Sequence, residues 1–135
     1  MIPDATIKVL VIEQHQAVRR ALGIRLNVSP NIEVVGTVAT PDAAWPLLQA
    51  SQPDVVVLGL QRGDDRTLFR IAGHVHKMSL TTAVIVLAPF ADEIERQVFL
   101  NAGARRYLLK HIDSLRLIRE INELADVVAG QDAIV

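Results

Sequence analysis

Residues from which a phosphoryl-transfer site could be built follow four short apolar segments of the chain. They are Glu13-Gln14-His15, Gly59-Leu60-Gln61, Ala88-Pro89-Phe90 and Lys110-His111. Phosphoryl transfer to a protein needs an acceptor side chain and carboxylates that hold Mg²⁺. These residues offer one carboxylate and one ammonium group, so Glu13 alone makes a poor magnesium site.

Five apolar segments are short enough to be the strands that position these residues. They are mostly continuous rather than alternating, which is typical of strands buried on both faces of a parallel sheet. The predicted strands are Ile7–Ile12, Ile32–Val38, Val55–Leu60, Ala83–Leu87 and Tyr107–Leu109. Helical spacing after each strand predicts five helices, and right-handed crossovers place them on both faces. The sequence therefore predicts an α/β fold, a doubly wound (βα)5 sheet whose functional crevice lies at the carboxyl ends of the strands.

Capping residues mark the boundaries of several helices. Thr40-Pro41-Asp42 is a typical start for the second helix, with threonine as the N-cap and proline at the first helical position. The fourth helix is predicted over roughly Asp92 to Ala102, with Gly103 as its C-terminal cap. The last helix is predicted from Ser114 to about Ala129, followed by Gly130.

The composition is that of a single compact domain. Half of the 135 residues are hydrophobic, and 14 basic against 15 acidic side chains argue against disorder and against nucleic-acid contact by this domain. The absence of cysteine excludes disulfides and thiolate metal sites. No segment approaches the roughly 20 apolar residues that span a bilayer, and the N-terminus lacks a secretion signal. We expect a cytoplasmic protein with no membrane contact.

Four motifs cover most of the chain: IKVLVIEQH at 7–15, PNIEVVG at 30–36, QPDVVVL at 52–58 and NAGARRYLLK at 101–110. In this order they resemble the receiver domains of response regulators of the NarL/FixJ (LuxR-type) family, which open with IKVLVVDDH. The resemblance implies a CheY-like, flavodoxin-like sheet with strand order 2-1-3-4-5. It also implies that residues 1–135 are one receiver-like domain, the N-terminal part of a longer two-component regulator whose helix-turn-helix domain follows residue 135.

The departures from this family fall on its phosphorylation chemistry. The resemblance aligns the family's acidic pair with Glu13 and Gln14, its phosphoacceptor aspartate with Gly59 and its switch hydroxyl with Ala88. Acceptor, direct metal ligand and switch are all replaced. We expect an atypical pseudo-receiver with no catalytic residue and no cofactor, in which Mg²⁺ binding is weak or lost. Restoring the chemistry should require Gly59→Asp together with Gln14→Asp and Ala88→Thr.

Two other positions of the family are retained. Lys110 matches the lysine that pairs with the phosphoryl group, and Tyr107 matches the aromatic residue whose rotamer reports activation. Lys110 could bind an anion or a carboxylate of a partner. We favour an internal ion pair with Glu13, because Glu13 is the only acid left at the strand ends.

The remaining polar candidates have structural interpretations. Asp64 and Asp65 lie in the loop after the third strand, where two adjacent flexible acids do not supply the oxygen geometry that magnesium demands. His15 is expected to pack or to cap the first helix. His74 and His76 point to opposite sides of the third predicted helix, so we expect no metal ion shared between them.

The last predicted helix carries more apolar surface than one sheet face needs. One stripe contains Leu115, Ile118, Ala125 and Ala129, and the other contains Leu117, Ile121, Leu124 and Val128. We expect a homodimer, formed through the fifth helix with the first helix, or through the fourth helix, fifth strand and fifth helix, as in related receivers.

Two functional hypotheses follow. In the first, the chain is the phosphorylation-independent receiver of a transcriptional regulator that binds DNA through a covalently linked domain. In the second, it is a free-standing adaptor that binds a protein partner or a small ligand at the carboxyl ends of the strands. The reading frame after residue 135 distinguishes them. An enzyme is not expected, because no nucleophile is paired with a base and no glycine-rich phosphate loop is present.

Overall fold

The computed structural model describes most of the chain, with side chains up to residue 126. The described residues are 6–61, 66, 69–70, 72–73, 75 and 81–134.

Five parallel strands form one sheet in the order β2-β1-β3-β4-β5, which confirms the predicted topology. The strands are β1 (Ile7–Ile12), β2 (Ile32–Val38), β3 (Val55–Gly59), β4 (Ala83–Ala88) and β5 (Arg106–Leu109). β3 and β4 are buried along their whole length, whereas the edge strand β5 is half-buried. The continuous apolar runs therefore mark the strands that helices cover on both faces.

The helices with described bounds follow β1, β2, β4 and β5, and they correspond to the first, second, fourth and fifth predicted helices. They are α1 (Gln16–Asn27), α2 (Pro41–Ser51), α3 (Glu93–Asn101) and α4 (Ser114–Ile134). Between β3 and β4, residues 66, 69, 70, 72, 73 and 75 are helical, as the sequence predicts for the described part of that segment.

Two helices begin at side-chain caps, of which the first, Thr40, is confirmed as predicted. The Thr40 side chain accepts a hydrogen bond from the backbone N–H of Ala43 at 3.3 Å and caps α2. Asp92 caps α3 in the same way by accepting from Glu95 N at 3.0 Å. After α3 the chain turns at Gly103, whose φ of 118° is one that glycine adopts without strain.

The predicted end of the last helix is wrong. α4 continues through Gly130 to Ile134, five residues beyond Ala129. A glycine inside a helix costs about 1 kcal/mol relative to alanine, which weakens the helix without ending it. The four residues after Gly130 include no proline, so nothing in this segment forces the backbone out of the helix.

Both faces of the sheet are covered by apolar side chains. On one face Leu22 and Leu26 of α1 and Leu117, Ile121 and Leu124 of α4 pack on the strands. On the other face, Ala44 of α2 and Phe99 of α3 are buried. No helix in the described part of the chain is long and apolar enough to cross a membrane.

The apolar surface left over on α4 is smaller than its sequence predicts. Ile118 and Ala125, which the sequence assigns to the same stripe as Leu115, are partly buried against the core. Leu115 remains 72% exposed, and the side chains of Val128 and Ala129 lie outside the described residues. Two of the three described side chains of the Leu115 stripe therefore pack at the border of the core, beside the buried row of Leu117, Ile121 and Leu124.

Candidate functional site

The ends of β1, β3, β4 and β5 meet at one edge of the sheet. We call this edge the rim and define it by Glu13, Gln14, Gly59, Ala88 and Lys110. Backbone pairing continues up to the rim, where Leu60 N donates to Leu87 O at 2.8 Å and Lys110 N donates to Ala88 O at 2.8 Å. The fold thus brings together the positions that the sequence singles out.

Glu13 is fully buried and forms the centre of the rim. Its Oε2 accepts from the backbone N–H of His15 and from Gln61 Nε2, each at 2.7 Å. Its Oε1 lies 2.6 Å from Lys110 Nζ. The predicted internal ion pair between Glu13 and Lys110 is therefore confirmed.

The lysine is the partner on which Oε1 depends. No hydrogen bond of regular geometry reaches this buried oxygen from the described residues, so the nearby ammonium group is its compensation. A buried carboxylate without such a charge would be strongly destabilising.

Gly59 is the last residue of β3 and lies against Glu13. A Cβ atom built on Gly59 would lie 2.0 Å from Glu13 Oε1 and 2.9 Å from Glu13 Cδ. The φ of Gly59 is not in the positive region, so its backbone would accept any residue. The absence of a side chain matters because the Glu13 carboxylate fills the space where one would begin.

Ala88 and Tyr107 lie on the α3 side of the sheet. Ala88 ends β4, is fully buried and presents only a methyl group. Tyr107 packs at the border of the same apolar cluster, and its hydroxyl donates to Glu95 Oε1 on α3. Burial raises the pKa of Tyr107 above its ordinary value, and the hydrogen bond to Glu95 and the charges of Glu95 and Asp92 raise it further.

Gln14 does not join the rim network described for Glu13. It is exposed, and its backbone carbonyl accepts from Arg19 Nη1 at 3.2 Å. The same Arg19 atom donates to the carbonyl of Glu13 at 3.0 Å. Arg19 thus anchors the backbone of the loop between β1 and α1.

Other predicted candidates take structural roles or fall outside the described residues. The imidazole Nδ1 of His15 accepts from Val18 N at 3.5 Å and caps α1, which confirms the capping interpretation. Asp64, Asp65, His74 and His76 lie outside the described residues. Within the described part of the chain, no three His, Asp or Glu residues converge in a way that could hold a metal ion.

The sequence assigned no role to three residues of the site. Gln61 follows β3 by two residues, and this position next to the rim was its only signal. Arg19 and Glu95 lie one helical turn or less inside α1 and α3 and carried no motif. Their roles depend on which backbone carbonyl or hydroxyl they reach, and the sequence does not encode that directly.

Comparison with known proteins identifies relatives over most of the chain. The sequence profile of the response regulator receiver domain matches residues 9–122. The DNA-binding transcriptional activator DevR/DosR of Mycobacterium tuberculosis is 30% identical over 125 residues, which are 93% of this chain and 56% of that protein. The oxygen regulatory protein NreC of Staphylococcus epidermidis is 27% identical over 82% of this chain and 51% of its own length. The chain spans about half the length of the curated relatives it matches.

Solved structures share the fold. The signal receiver domain of the response regulator NarL of Mycobacterium tuberculosis superposes with a TM-score of 0.81 at 25% identity, covering 90% of this chain and 98% of that one. A CheY-like receiver domain protein of Methanospirillum hungatei gives a TM-score of 0.80 at 17% identity, covering 94% and 99% of the two chains. The likeness to the second protein extends to the fold alone.

Proposed function

Because the chain belongs to the response regulator receiver domain family, we propose that it is an atypical receiver that regulates without aspartyl phosphorylation. In this proposal the rim is a degenerate phosphorylation site made of Glu13, Gln14, Gly59, Ala88 and Lys110, with Tyr107 beside it. None of these residues is catalytic. The position that the family resemblance assigns to the phosphoacceptor is Gly59, which has no side chain to accept a phosphoryl group.

The observation that carries this proposal is the position of the Glu13 carboxylate. It lies where a side chain at position 59 would begin, and it is already paired with the Lys110 ammonium at 2.6 Å. A phosphoryl group brought to this edge would meet a negative charge in place of an acceptor, and a lysine that is already neutralised. Both effects oppose phosphorylation.

The donors at the rim do not fit Mg²⁺, so we propose that binding of this ion is weak or lost. Mg²⁺ prefers an octahedral set of hard oxygen ligands that includes carboxylates. The one rim carboxylate is fully buried and engaged by Lys110, Gln61 and the backbone of His15. Gln14 is neutral and exposed, and Gly59 offers no side-chain oxygen.

We further propose that the domain is part of a transcriptional regulator. DevR/DosR is a DNA-binding transcriptional activator, and this chain matches 56% of its length. The remainder of such a regulator would supply a helix-turn-helix domain, while the near-neutral receiver makes no direct contact with DNA and works in the cytoplasm. A helix-turn-helix in the full-length reading frame supports this proposal, whereas a receiver without one would be a free-standing adaptor.

The test of phosphorylation independence is an NMR titration with beryllofluoride and Mg²⁺, which together mimic a phosphorylated aspartate. We expect the amide signals of Gly59, Ala88 and Tyr107 to stay unchanged up to saturating concentrations. Phosphoryl donors of low molecular weight should likewise leave the mass of the protein unchanged. Chemical-shift changes at these three residues would contradict the proposal.

A variant with a restored site is the matched control. The sequence predicts that Gly59→Asp is required together with Gln14→Asp and Ala88→Thr, but an aspartate at position 59 would collide with Glu13. Glu13→Asp is therefore needed as well, because it withdraws the carboxylate by about 1.5 Å, the length of a carbon–carbon bond. The fourfold variant should respond to beryllofluoride where the native protein does not.

We also propose that the domain forms a homodimer. Exposed apolar side chains occur four residues apart at Ile24 and at Val28, the C-cap residue of α1, and at Ile94 and Val98 on α3. Leu115 at the start of α4 adds a further exposed side chain. We assign the first pair to the expected interface of α4 with α1, and the second pair to the expected interface of α4 with α3 and β5.

A further inference from the structure

We propose that Glu13 is a built-in ligand of the acceptor pocket, the space beside Gly59 and Lys110. Its carboxylate takes the place of a side chain at position 59 and supplies Lys110 with a permanent negative charge. Lys110 is thereby held in a single position by Glu13, and no external anion is needed to keep it there. This inference rests on the proposed function and adds to it that the Glu13 carboxylate is the group that occupies the acceptor pocket.

The steric evidence is the mutual fit of Glu13 and Gly59. A Cβ on residue 59 would lie 2.0 Å from Oε1, 2.9 Å from Cδ and 3.4 Å from Cβ of Glu13. Contacts below 3.0 Å require one of the two groups to move, and the obstacle is the tip of the Glu13 side chain, which burial and contacts with His15, Gln61 and Lys110 hold in place. Glycine at position 59 is therefore required by Glu13 and not by the backbone conformation.

The electrostatic evidence is that the two oxygens of Glu13 have different partners. Oε2 is fixed by two donors, the His15 backbone and the Gln61 amide, at 2.7 Å each. Oε1 faces Lys110 Nζ at 2.6 Å and has no regular hydrogen bond within the described part of the chain. One oxygen thus anchors the carboxylate to the loop after β1 and to the segment after β3, while the other pairs with the lysine at the end of β5.

The ligand class that fits the pocket follows from this arrangement. Glu13 fills it with a single carboxylate held by a lysine, so a small carboxylate anion should replace the side chain when it is removed. The probe is acetate. Native protein should not bind it at the rim, because Glu13 occupies the space and neutralises Lys110.

The first test is a double-mutant cycle between positions 13 and 59. We expect Gly59→Ala to lower the Tm by about 10 °C in the native background, and by less than about 5 °C in the Glu13→Asp background, where the shorter side chain leaves room for the methyl group. A role of Gly59 in backbone flexibility alone would give the same loss in both backgrounds, and that result would overturn the inference.

Gly36 of β2 is the matched control for this cycle. A Cβ there would meet Leu47 Cδ1 at 2.7 Å and does not approach Glu13. Gly36→Ala should change the Tm equally with glutamate or aspartate at position 13. Coupling of similar size at both glycines would indicate general loosening of the sheet and would also contradict the inference.

The second test is rescue by acetate, followed by amide NMR. Acetate should bind the Glu13→Ala variant with a Kd on the order of 10 mM, as suits a ligand of four non-hydrogen atoms, and shift the signals of Gly59 and Lys110. The native protein and the variant Glu13→Ala/Lys110→Met should show no such shifts. If the Glu13→Ala variant is unfolded without acetate, recovery of its circular dichroism signal on addition of acetate reports the same binding.

The outcomes separate this inference from the proposed function. If acetate binds neither protein, or binds both alike, Glu13 is not a ligand of the pocket, even if the native protein still ignores beryllofluoride. If the native protein responds to beryllofluoride, the proposed function is contradicted, whatever the result with acetate. Acetate binding confined to Glu13→Ala and dependent on Lys110 supports the inference.

Discussion

At the scale of single residues, the Glu13 carboxylate lies in the protein interior and Lys110 balances its charge. Removing one partner of a buried ion pair leaves an uncompensated charge, whereas removing both charges is much less costly. We expect Lys110→Met to reduce the free energy of unfolding by about 3 kcal/mol, measured by urea denaturation. The double variant Glu13→Gln/Lys110→Met should recover at least about 1 kcal/mol of that loss.

Arg106 provides the control for this comparison. Its Nε lies 2.8 Å from Glu120 Oε1, and the arginine side chain is partly exposed. Arg106→Met should cost less than about 1 kcal/mol, because Arg106 is 35% and Glu120 15% exposed, so water screens both charges, whereas Glu13 is fully buried. Equal losses for Lys110→Met and Arg106→Met would mean that burial of Glu13 does not set the energy of the rim pair.

Tyr107 is the only tyrosine in the chain, so its ionisation can be followed by phenolate absorbance without interference. Burial and the contact with Glu95 raise its pKa, so the folded state binds the phenolic proton more tightly than the unfolded state. This contribution to stability is complete below about pH 10, the ordinary tyrosine pKa, and is lost as the pH rises through the folded value.

We expect little phenolate in the native protein at about pH 10, where the unfolded chain is half ionised. Glu95→Gln should lower the pKa only part of the way, because burial is the largest cause of the shift. A native titration centred at the ordinary tyrosine value would contradict the environment that the structure gives Tyr107.

At the scale of elements, α2 contains a proline that no tertiary contact explains. Pro46 is exposed and lies inside the helix, where it cannot donate to the carbonyl of Asp42. Pro46→Ala should raise the free energy of unfolding by about 1 to 2 kcal/mol, since the lost rigidity of the unfolded chain offsets part of the gain. Thermal unfolding measures the difference.

Pro41 of the same helix is the control, because it occupies the first turn, where no N–H is needed. Pro41→Ala should give no comparable gain. If both variants are equally stable, Pro46 does not lower the free energy of unfolding through its interior position in α2, and the prediction is wrong.

Most elements could be predicted because their signals are local. β1 and β2 have the predicted bounds, and Thr40 and Asp92 cap helices through side chains that reach only three residues along the chain. The end of α4 could not be predicted from Gly130, since a glycine there lowers helix stability without defining an alternative structure. The burial of Ile118 depends on how α4 rests on the sheet, which is a tertiary property.

The sequence predicted which residues form the site and one of the contacts between them. The Glu13–Lys110 pair followed from charge alone, because a single acid remained near a single lysine. That Glu13 also fills the space beside Gly59 could not be predicted, because it depends on the length of one side chain and the separation of two strands. The prediction that three substitutions restore the site omitted Glu13 for this reason.

At the scale of the whole molecule, the exposed apolar side chains allow the dimer interface to be located. Val28 of the α1 pair is 77% exposed and Ile94 of the α3 pair is 80% exposed. We expect the native domain to dimerise at high micromolar concentration in sedimentation experiments. Val28→Asp should abolish the dimer if α1 and α4 form the interface, and Ile94→Asp should do so if α3, β5 and α4 form it.

Each variant serves as the control for the other, since both place a charge at an exposed position of the same fold. A native domain that sediments only as a monomer at high micromolar concentration would exclude the homodimer. If both variants dimerise as the native domain does, neither proposed face is the interface.

The fit between Glu13 and Gly59 also limits the mutational paths open to descendants of this protein. An aspartate that arises at position 59 first meets the carboxylate of Glu13, and a shortened residue 13 that arises first weakens the contact that neutralises Lys110. Either order passes through a less stable intermediate that selection tends to remove. An aspartate at position 59 is thus harder to acquire than a single substitution suggests, and the two positions are expected to change together.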